Sequence, residues 1–231
     1  MRIKKYILVF IFAALLILNG CGGGGSTTPS TSVEDMINEA WTAYQDGLVG
    51  EAISLFVAAN NEDNNNNHFE DELGLGLSYL IDGQETNADT QFMYLYNNRN
   101  DIDSSGLDNM TETNFKLTLY TAMMMYKLRY TTTTSGTTEV EWCGTNLVPY
   151  LENNFSGYTF NYNTTSTSQD IHLTELMIKI VLANYYITVD DSLSVADSYL
   201  DEADGADLSA YSSMVSDFVN EGLSYLESLG Y

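Results

Sequence analysis

The side chains best suited to hold a cation lie close together near the middle of the chain. Residues 101–112 are rich in oxygen-bearing side chains and contain Gly106. The oxygens come from Asp101, Asp103, Ser105, Asn109 and Glu112. Such groups suit hard cations, and Ca²⁺ in particular takes about six to eight oxygen ligands. The segment joins two stretches that we predict to be helical, so it is a candidate Ca²⁺ loop.

The spacing of this segment resembles the calcium loop of EF-hand proteins, D-x-D-x-[DNS]-G-x₅-E. The resemblance implies that the five side chains and the Leu107 carbonyl are ligands, with the glycine at the sharp turn. Position eight departs from the family, because Asp108 stands where an apolar residue is usual, and no second loop pairs with it. The alternative is a loop without metal, in which Asn109 caps the next helix and Glu112 is its capping-box partner. We expect no cofactor other than Ca²⁺ at this loop.

The first 20 residues have the composition of a signal peptide. Arg2, Lys4 and Lys5 form a positive n-region, and residues 7–18 are a continuous apolar run of 12 residues. As a helix this run is about 18 Å long, too short for a hydrocarbon core of about 30 Å. We therefore interpret residues 1–20 as a cleaved leader.

The end of this leader, Leu-Asn-Gly-Cys at residues 18–21, resembles the lipobox of bacterial lipoproteins. The resemblance implies that the Cys21 sulfur takes a diacylglycerol and that its new amine is acylated, for example by palmitate. Several acyl chains anchor a protein stably in a membrane. Residues 21–32, rich in Gly, Ser and Thr, would form a flexible tether. Gly22 after the cysteine favours the outer membrane by the enterobacterial sorting rule, with the domain facing the periplasm or the cell surface.

The charge balance is strongly acidic. The chain has 32 acidic and 8 basic residues, a formal net charge of −24. Three basic residues lie in the leader, so removing it leaves 5 − 32 = −27. Such a surface repels phosphate backbones, which excludes nucleic-acid binding.

Catalytic motifs are absent from the sequence. We find no nucleophile elbow, P-loop or dinucleotide fingerprint. His68 and His172 are far apart and lack metal spacing, and Cys143 beside Trp142 is predicted to be a small buried residue. We therefore expect a protein that is not an enzyme.

Two similar helical hairpins precede the candidate Ca²⁺ loop at residues 101–112. Residues 40–59 combine an apolar 3–4 spacing with a turn at Gly47, and Ser32 followed by acids marks the start of the first helix. A weaker copy follows 36 residues later, with its turn at Gly83. The matched positions are Ala40, Tyr44, Gly47, Ala52, Phe56 and Ala59, and then Gly76, Leu80, Gly83, Ala88, Phe92 and Leu95.

These positions resemble the tetratricopeptide repeat, a helical hairpin of about 34 residues. The resemblance implies an all-α fold, a short right-handed α-solenoid of helical hairpins. In this family the first helix of each repeat lines a groove that binds peptides. The matching partner-binding positions here are Trp41, Tyr44, Gln45, Leu77 and Ile81.

The remainder of the chain is predicted to be helical but more divergent. Helices are expected over residues 113–130, 139–153 (with a kink at Pro149), 171–189 and 192–203, and a capping helix over 211–229. Residues 60–67 and 155–169 are predicted loops. Residues 33–231 are taken as one helical domain.

Together these features predict a membrane-anchored envelope lipoprotein that binds a protein or peptide through a helical-repeat groove. One alternative is a component of the outer-membrane assembly machinery, whose small repeat lipoprotein it resembles in size and lipidation. Another is a surface lipoprotein that binds Ca²⁺ at the Asp101 loop or a glycan at the Tyr-rich residues 158–162.

Overall fold

The structure, a computed structural model, describes residues 32–62, 68–102, 107, 110–130, 137–158, 175–189, 192–205 and 213–230. The predicted leader, Cys21 and the tether up to residue 31 lie outside these residues, as do Asp103, Ser105, Asn109 and His172. Within the described ranges every regular element is an α-helix, which confirms the all-helical prediction for them.

The helices are α1 (Val33–Gln45), α2 (Val49–Glu62), α3 (Phe69–Ile81), α4 (Glu85–Asn97), α5 (Glu112–Tyr130), α6 (Thr137–Asn146), α7 (Val148–Asn154), α8 (Glu175–Val189), α9 (Leu193–Asp204) and α10 (Ser213–Leu229). The described residues fall into two compact units that divide between Leu119 and Tyr120, inside α5. The N-terminal unit contains α1 to α4, and the C-terminal unit contains α6 to α10.

The ends of the first hairpin confirm the predicted signals. Ser32 caps α1, where its hydroxyl accepts the Asp35 backbone N–H at 3.1 Å and Asp35 completes a capping box. Gly47 ends the helix in the left-handed region at φ 74°, and Gly83 ends α3 in the same way at φ 76°. Glycine adopts this conformation without the steric cost of a Cβ atom. The same turn is therefore used 36 residues apart.

Adjacent helices pack in pairs, as in a helical-repeat fold. In the N-terminal unit α1 packs on α2 and α3 packs on α4, while α2 and α3 join the two pairs. The joining contact is made by Phe56 of α2, whose ring lies against Gly74 of α3, where a Cβ atom would be 2.2 Å from Phe56 Cζ. Two residues on, Gly76 receives the ring of Phe92 from α4, where a Cβ atom would be 2.5 Å from Cε1. The two glycines of α3 thus leave room for one phenyl ring from α2 and one from α4.

Two predicted segments differ in the structure. Helix α2 continues through Asn60 and Asn61 to Glu62, and the Asn60 amide donates to Glu72 Oε1 of α3 at 2.7 Å, which gives this polar end a tertiary partner. The helix predicted over 139–153 is two helices, α6 and α7, that meet at Leu147. Pro149 lies in the first turn of α7, where a missing N–H costs no hydrogen bond.

Helix α5 is capped by Thr111, because its Oγ1 accepts the Asn114 backbone N–H at 3.2 Å. The cap that the alternative assigned to Asn109 is therefore made by Thr111, and that the loop holds no metal stays a prediction. Glu112 is the first residue of the helix.

The C-terminal unit is built around the pair α8 and α9. Helix α10 packs on α9, and α6 packs on both α7 and α8. Small residues again allow close approach: a Cβ atom on Gly144 of α6 would lie 2.1 Å from the Tyr185 hydroxyl, and one on Gly222 of α10 would lie 2.5 Å from Leu200 Cδ1. Within the described residues, α8, α9 and α10 confirm the helices predicted over 171–189, 192–203 and 211–229.

Across the described part of the chain, no helix is both long enough and apolar enough to cross a membrane.

Candidate functional site

Four of the five predicted groove residues are buried. Trp41 is 0% exposed and Tyr44 1%, while Leu77 and Ile81 of α3 are 3% and 8% exposed. Gln45 alone is partly accessible. The four buried side chains therefore do not line an open groove in this structure.

The ring of Trp41 shows why these residues are buried. Its centroid lies 5.4 Å from that of Tyr44 and 5.3 Å from that of Phe56, in edge-to-face arrangements. Aromatic pairs prefer this geometry, and it contributes stability beyond that gained by burying the rings. The three rings fill the space between α1 and α2. In this structure the three rings hold the hairpin together.

The candidate Ca²⁺ loop is described only in part. Asp101 is exposed, and Glu112 makes an ion pair with Lys116 one helical turn later. The loop is attached to α3, because the Met110 backbone N–H donates to Glu70 Oε1 at 2.8 Å. Among the described residues no group of three or more His, Cys, Asp or Glu is placed to hold a metal ion. Ca²⁺ binding at Asp101, Asp103, Ser105, Asn109 and Glu112 stays a prediction.

A cluster of aromatic and charged side chains lies where the end of α7 meets α8 and α9. We call it the α7–α9 face, and its members are Glu152, Phe155, Glu175, Lys179, Tyr186, Tyr199 and Glu202. Phe155 and Tyr199 make an edge-to-face pair at 6.1 Å between ring centroids. Both rings are partly exposed.

Lys179 is the electrostatic centre of the α7–α9 face. Its ammonium pairs with Glu175 Oε1 at 2.8 Å and with Glu202 of α9, and lies 5.7 Å from the centroid of the Phe155 ring. Desolvation lowers the pKa of Lys179, but the hydrogen bonds to Glu175 and Glu202 outweigh it, and the net shift is upward. The lysine therefore stays charged and holds α8 and α9 together.

Glu175 fixes the segment after α7. Its Oε2 accepts the Gly157 backbone N–H at 2.6 Å, and its own N–H donates to the Tyr158 carbonyl at 3.0 Å. The hydrogen bond from Lys179, and then that from Gly157, lower the pKa of Glu175. Glu175 thus anchors the chain between α7 and α8 as a carboxylate.

Both tyrosines of the α7–α9 face have a raised pKa. Tyr186 donates its hydroxyl to Glu152, and burial followed by this carboxylate raises the pKa of the phenol. Burial also raises the pKa of Tyr199, with contributions from Glu152 and Glu202. Both phenols therefore remain neutral hydrogen-bond donors, close to carboxylates.

The α7–α9 face was not predicted from the sequence. Its bonds join residues 34 and 23 positions apart, as in Tyr186 to Glu152 and Lys179 to Glu202. Neither distance leaves a local periodic signal. The only usable signal was the position of Lys179, the single basic residue after Arg129.

Cys143 is buried, as predicted, at 0% exposure. Burial raises the pKa of its thiol to about 12, more than the nearby Lys127 ammonium lowers it. The thiol is therefore protonated at neutral pH and unsuited to act as a nucleophile.

No protein-family model, curated protein or solved structure shows a significant match to this chain.

Proposed function

We propose that this protein is a membrane-anchored envelope lipoprotein that binds a protein or peptide, as a non-enzymatic scaffold built on a short tetratricopeptide-like solenoid. The observation that carries the proposal is the repetition, 36 residues apart, of one hairpin. Both copies have a left-handed turn glycine, Gly47 and Gly83. Both have a fully buried phenylalanine in the second helix, Phe56 and Phe92.

The stacking of the two hairpins supports this proposal. Phe56 of the first pair enters the gap at Gly74 in the second pair, so that the pairs pack on one another through a specific contact. Stacked helical hairpins bury a continuous core and leave extended faces for recognition. Such faces bind other chains, and this is the reason for proposing a scaffold.

The anchor is proposed from the sequence alone. Residues 7–18 and the Leu-Asn-Gly-Cys segment provide the leader and the acceptor Cys21, and residues 21–32 provide the tether. A tether raises the effective concentration of the domain near partners in the same membrane. Anchor and scaffold therefore act together.

The anchor is tested in the cells that produce the protein. We expect wild type to incorporate an alkyne-labelled palmitate and to sediment with membranes. Cys21→Ser should lose the label and leave the membrane fraction. Retention of both label and sedimentation by Cys21→Ser would contradict lipidation at this residue.

The scaffold is tested by crosslinking in the same cells. Gly74→Ala should disturb the stacking of the hairpins, while Gly50→Ala is the matched control because a Cβ atom there meets nothing within 4 Å. We expect a discrete crosslinked partner with wild type and Gly50→Ala, and loss of that partner with Gly74→Ala. A partner captured equally by all three would exclude the stacked hairpins as the binding element.

A further inference from the structure

Four basic side chains of the described residues, Arg99 and the three lysines, make internal contacts. Lys116 pairs with Glu112, Lys127 with Glu139, and Lys179 with Glu175 and Glu202. The three lysine side chains are only 10–15% exposed. Arg99 donates to the Tyr96 carbonyl at 2.7 Å. The accessible charge of the described residues is therefore predominantly negative.

Most of these cations also lie over aromatic rings. Arg99 is 4.0 Å from the centroid of the Tyr96 ring, Lys127 is 5.0 Å from that of Trp142, and Lys179 is 5.7 Å from that of Phe155. An aromatic face attracts a cation through its quadrupole. The chain thus repeatedly holds ammonium or guanidinium groups by a ring together with a hydrogen-bond acceptor or a carboxylate.

The α7–α9 face has this chemistry and retains an excess of carboxylate. It has three glutamates and one lysine, so its net charge is 1 − 3 = −2, from Glu152, Glu175, Glu202 and Lys179. Glu152 and Glu202 are exposed. The partly exposed Tyr199 precedes Glu202 by one turn of α9, and its ring packs edge-to-face at 6.1 Å on Phe155, which lies one turn after Glu152. A second cation would meet a ring and two carboxylates there.

We infer that the α7–α9 face binds a lysine- or arginine-bearing segment of a partner protein, with a basic side chain over Tyr199 between Glu152 and Glu202. This inference rests on the proposed scaffold function and names the chemistry of its partner. Charge complementarity with a chain of net charge −24 favours a basic segment and disfavours an acidic one. Anionic lipid and nucleic acid are repelled by the same charge.

The experiment measures binding of a fluorescein-labelled Lys-Gly repeat peptide to the full-length chain in detergent, by fluorescence anisotropy at about 0.15 M salt, where long-range attraction is screened. The face variant is Glu152→Gln with Glu202→Gln. The matched control is Glu221→Gln with Glu227→Gln, two exposed acids on α10. Both variants remove two negative charges. A Glu-Gly repeat peptide tests the sign of the preference.

We expect the face variant to bind the Lys-Gly peptide roughly tenfold more weakly, and the α10 variant to bind it like wild type. Tyr199→Leu should weaken binding, whereas Tyr199→Phe, which keeps the ring, should retain it. Glu152→Gln alone leaves both Lys179 pairs intact, so it provides a folded variant if the double change unfolds the protein. Circular dichroism monitors folding in each case.

Equal weakening by the face and α10 variants would overturn the inference, since general acidity would then explain the binding. Equal binding of the Lys-Gly and Glu-Gly peptides, or no binding of either by wild type, would overturn it as well. None of these results affects the scaffold proposal, which is judged by loss of the crosslinked partner in Gly74→Ala.

Discussion

The phenyl ring of Phe56 occupies the space that a side chain at Gly74 would need. A Cβ atom there would lie 2.2–2.7 Å from three ring atoms, and Phe56 is 0% exposed, so the ring is enclosed by protein. One pair of residues therefore sets how closely the first hairpin approaches the second.

Gly74→Ala should destabilise the protein. Overpacking a filled core costs about 1–3 kcal/mol, against about 0.5–1 kcal/mol gained when alanine replaces glycine in a helix. Urea unfolding followed by circular dichroism measures the balance. Gly50→Ala should be neutral or slightly stabilising, because a Cβ atom there meets nothing within 4 Å. A Gly74→Ala protein as stable as Gly50→Ala would contradict the close contact.

Gly83→Ala should destabilise through the backbone alone. The residue has φ 76°, and a Cβ atom on it would contact nothing within 4 Å. A left-handed alanine costs about 1–2 kcal/mol. The control is Gly205→Ala, since Gly205 ends α9 at φ −72°, a conformation open to any residue. Equal unfolding midpoints for the two variants would show that the turn at Gly83 tolerates a side chain.

Acid should remove the stability that Glu175 provides. Its pKa is lowered from the ordinary value of 4.5, so its contribution is fully present above pH 4.5 and is lost as pH falls through the lowered pKa. Wild type should therefore exceed Glu175→Gln in urea midpoint at pH 7, and the difference should shrink below pH 4.5. A difference that is the same at pH 7 and pH 3 would mean that the carboxylate charge contributes nothing.

The Cys143 thiol should be unreactive in the folded protein. Burial and a pKa raised to about 12 disfavour the thiolate, which is the reacting species. In a Cys21→Ser chain, which has no other cysteine, a disulfide reagent at pH 8 should label Cys143 only when urea is present. Rapid labelling without urea would show that α6 opens readily around the thiol.

Local signals were sufficient to predict the hairpins. Ser32 supplies a cap, Gly47 and Gly83 supply turns, and the Ala52, Phe56, Ala59 spacing supplies an apolar face. Each acts over a few residues, and each has the predicted role in the structure.

Periodicity could not predict which helix faces are covered by other helices. The spacing of Trp41 and Tyr44 predicts that they share a helix face, but it does not say whether that face is open or filled by Phe56. The α7–α9 face could not be predicted for the same reason, because Tyr186 and Glu152 come together only through the packing of separate helices. The sequence thus predicts helices and their pairing better than it predicts surfaces.

The scarcity of accessible basic side chains has a practical consequence for protein chemistry. Trypsin cleaves after lysine or arginine, and after the leader these residues are Arg99, Lys116, Lys127, Arg129 and Lys179. Residues 6–99 and 180–231 therefore contain no internal tryptic site, and the described lysines are partly buried in helices. A proteome survey based on trypsin would detect this protein through very few peptides. Cleavage after glutamate would map it far better.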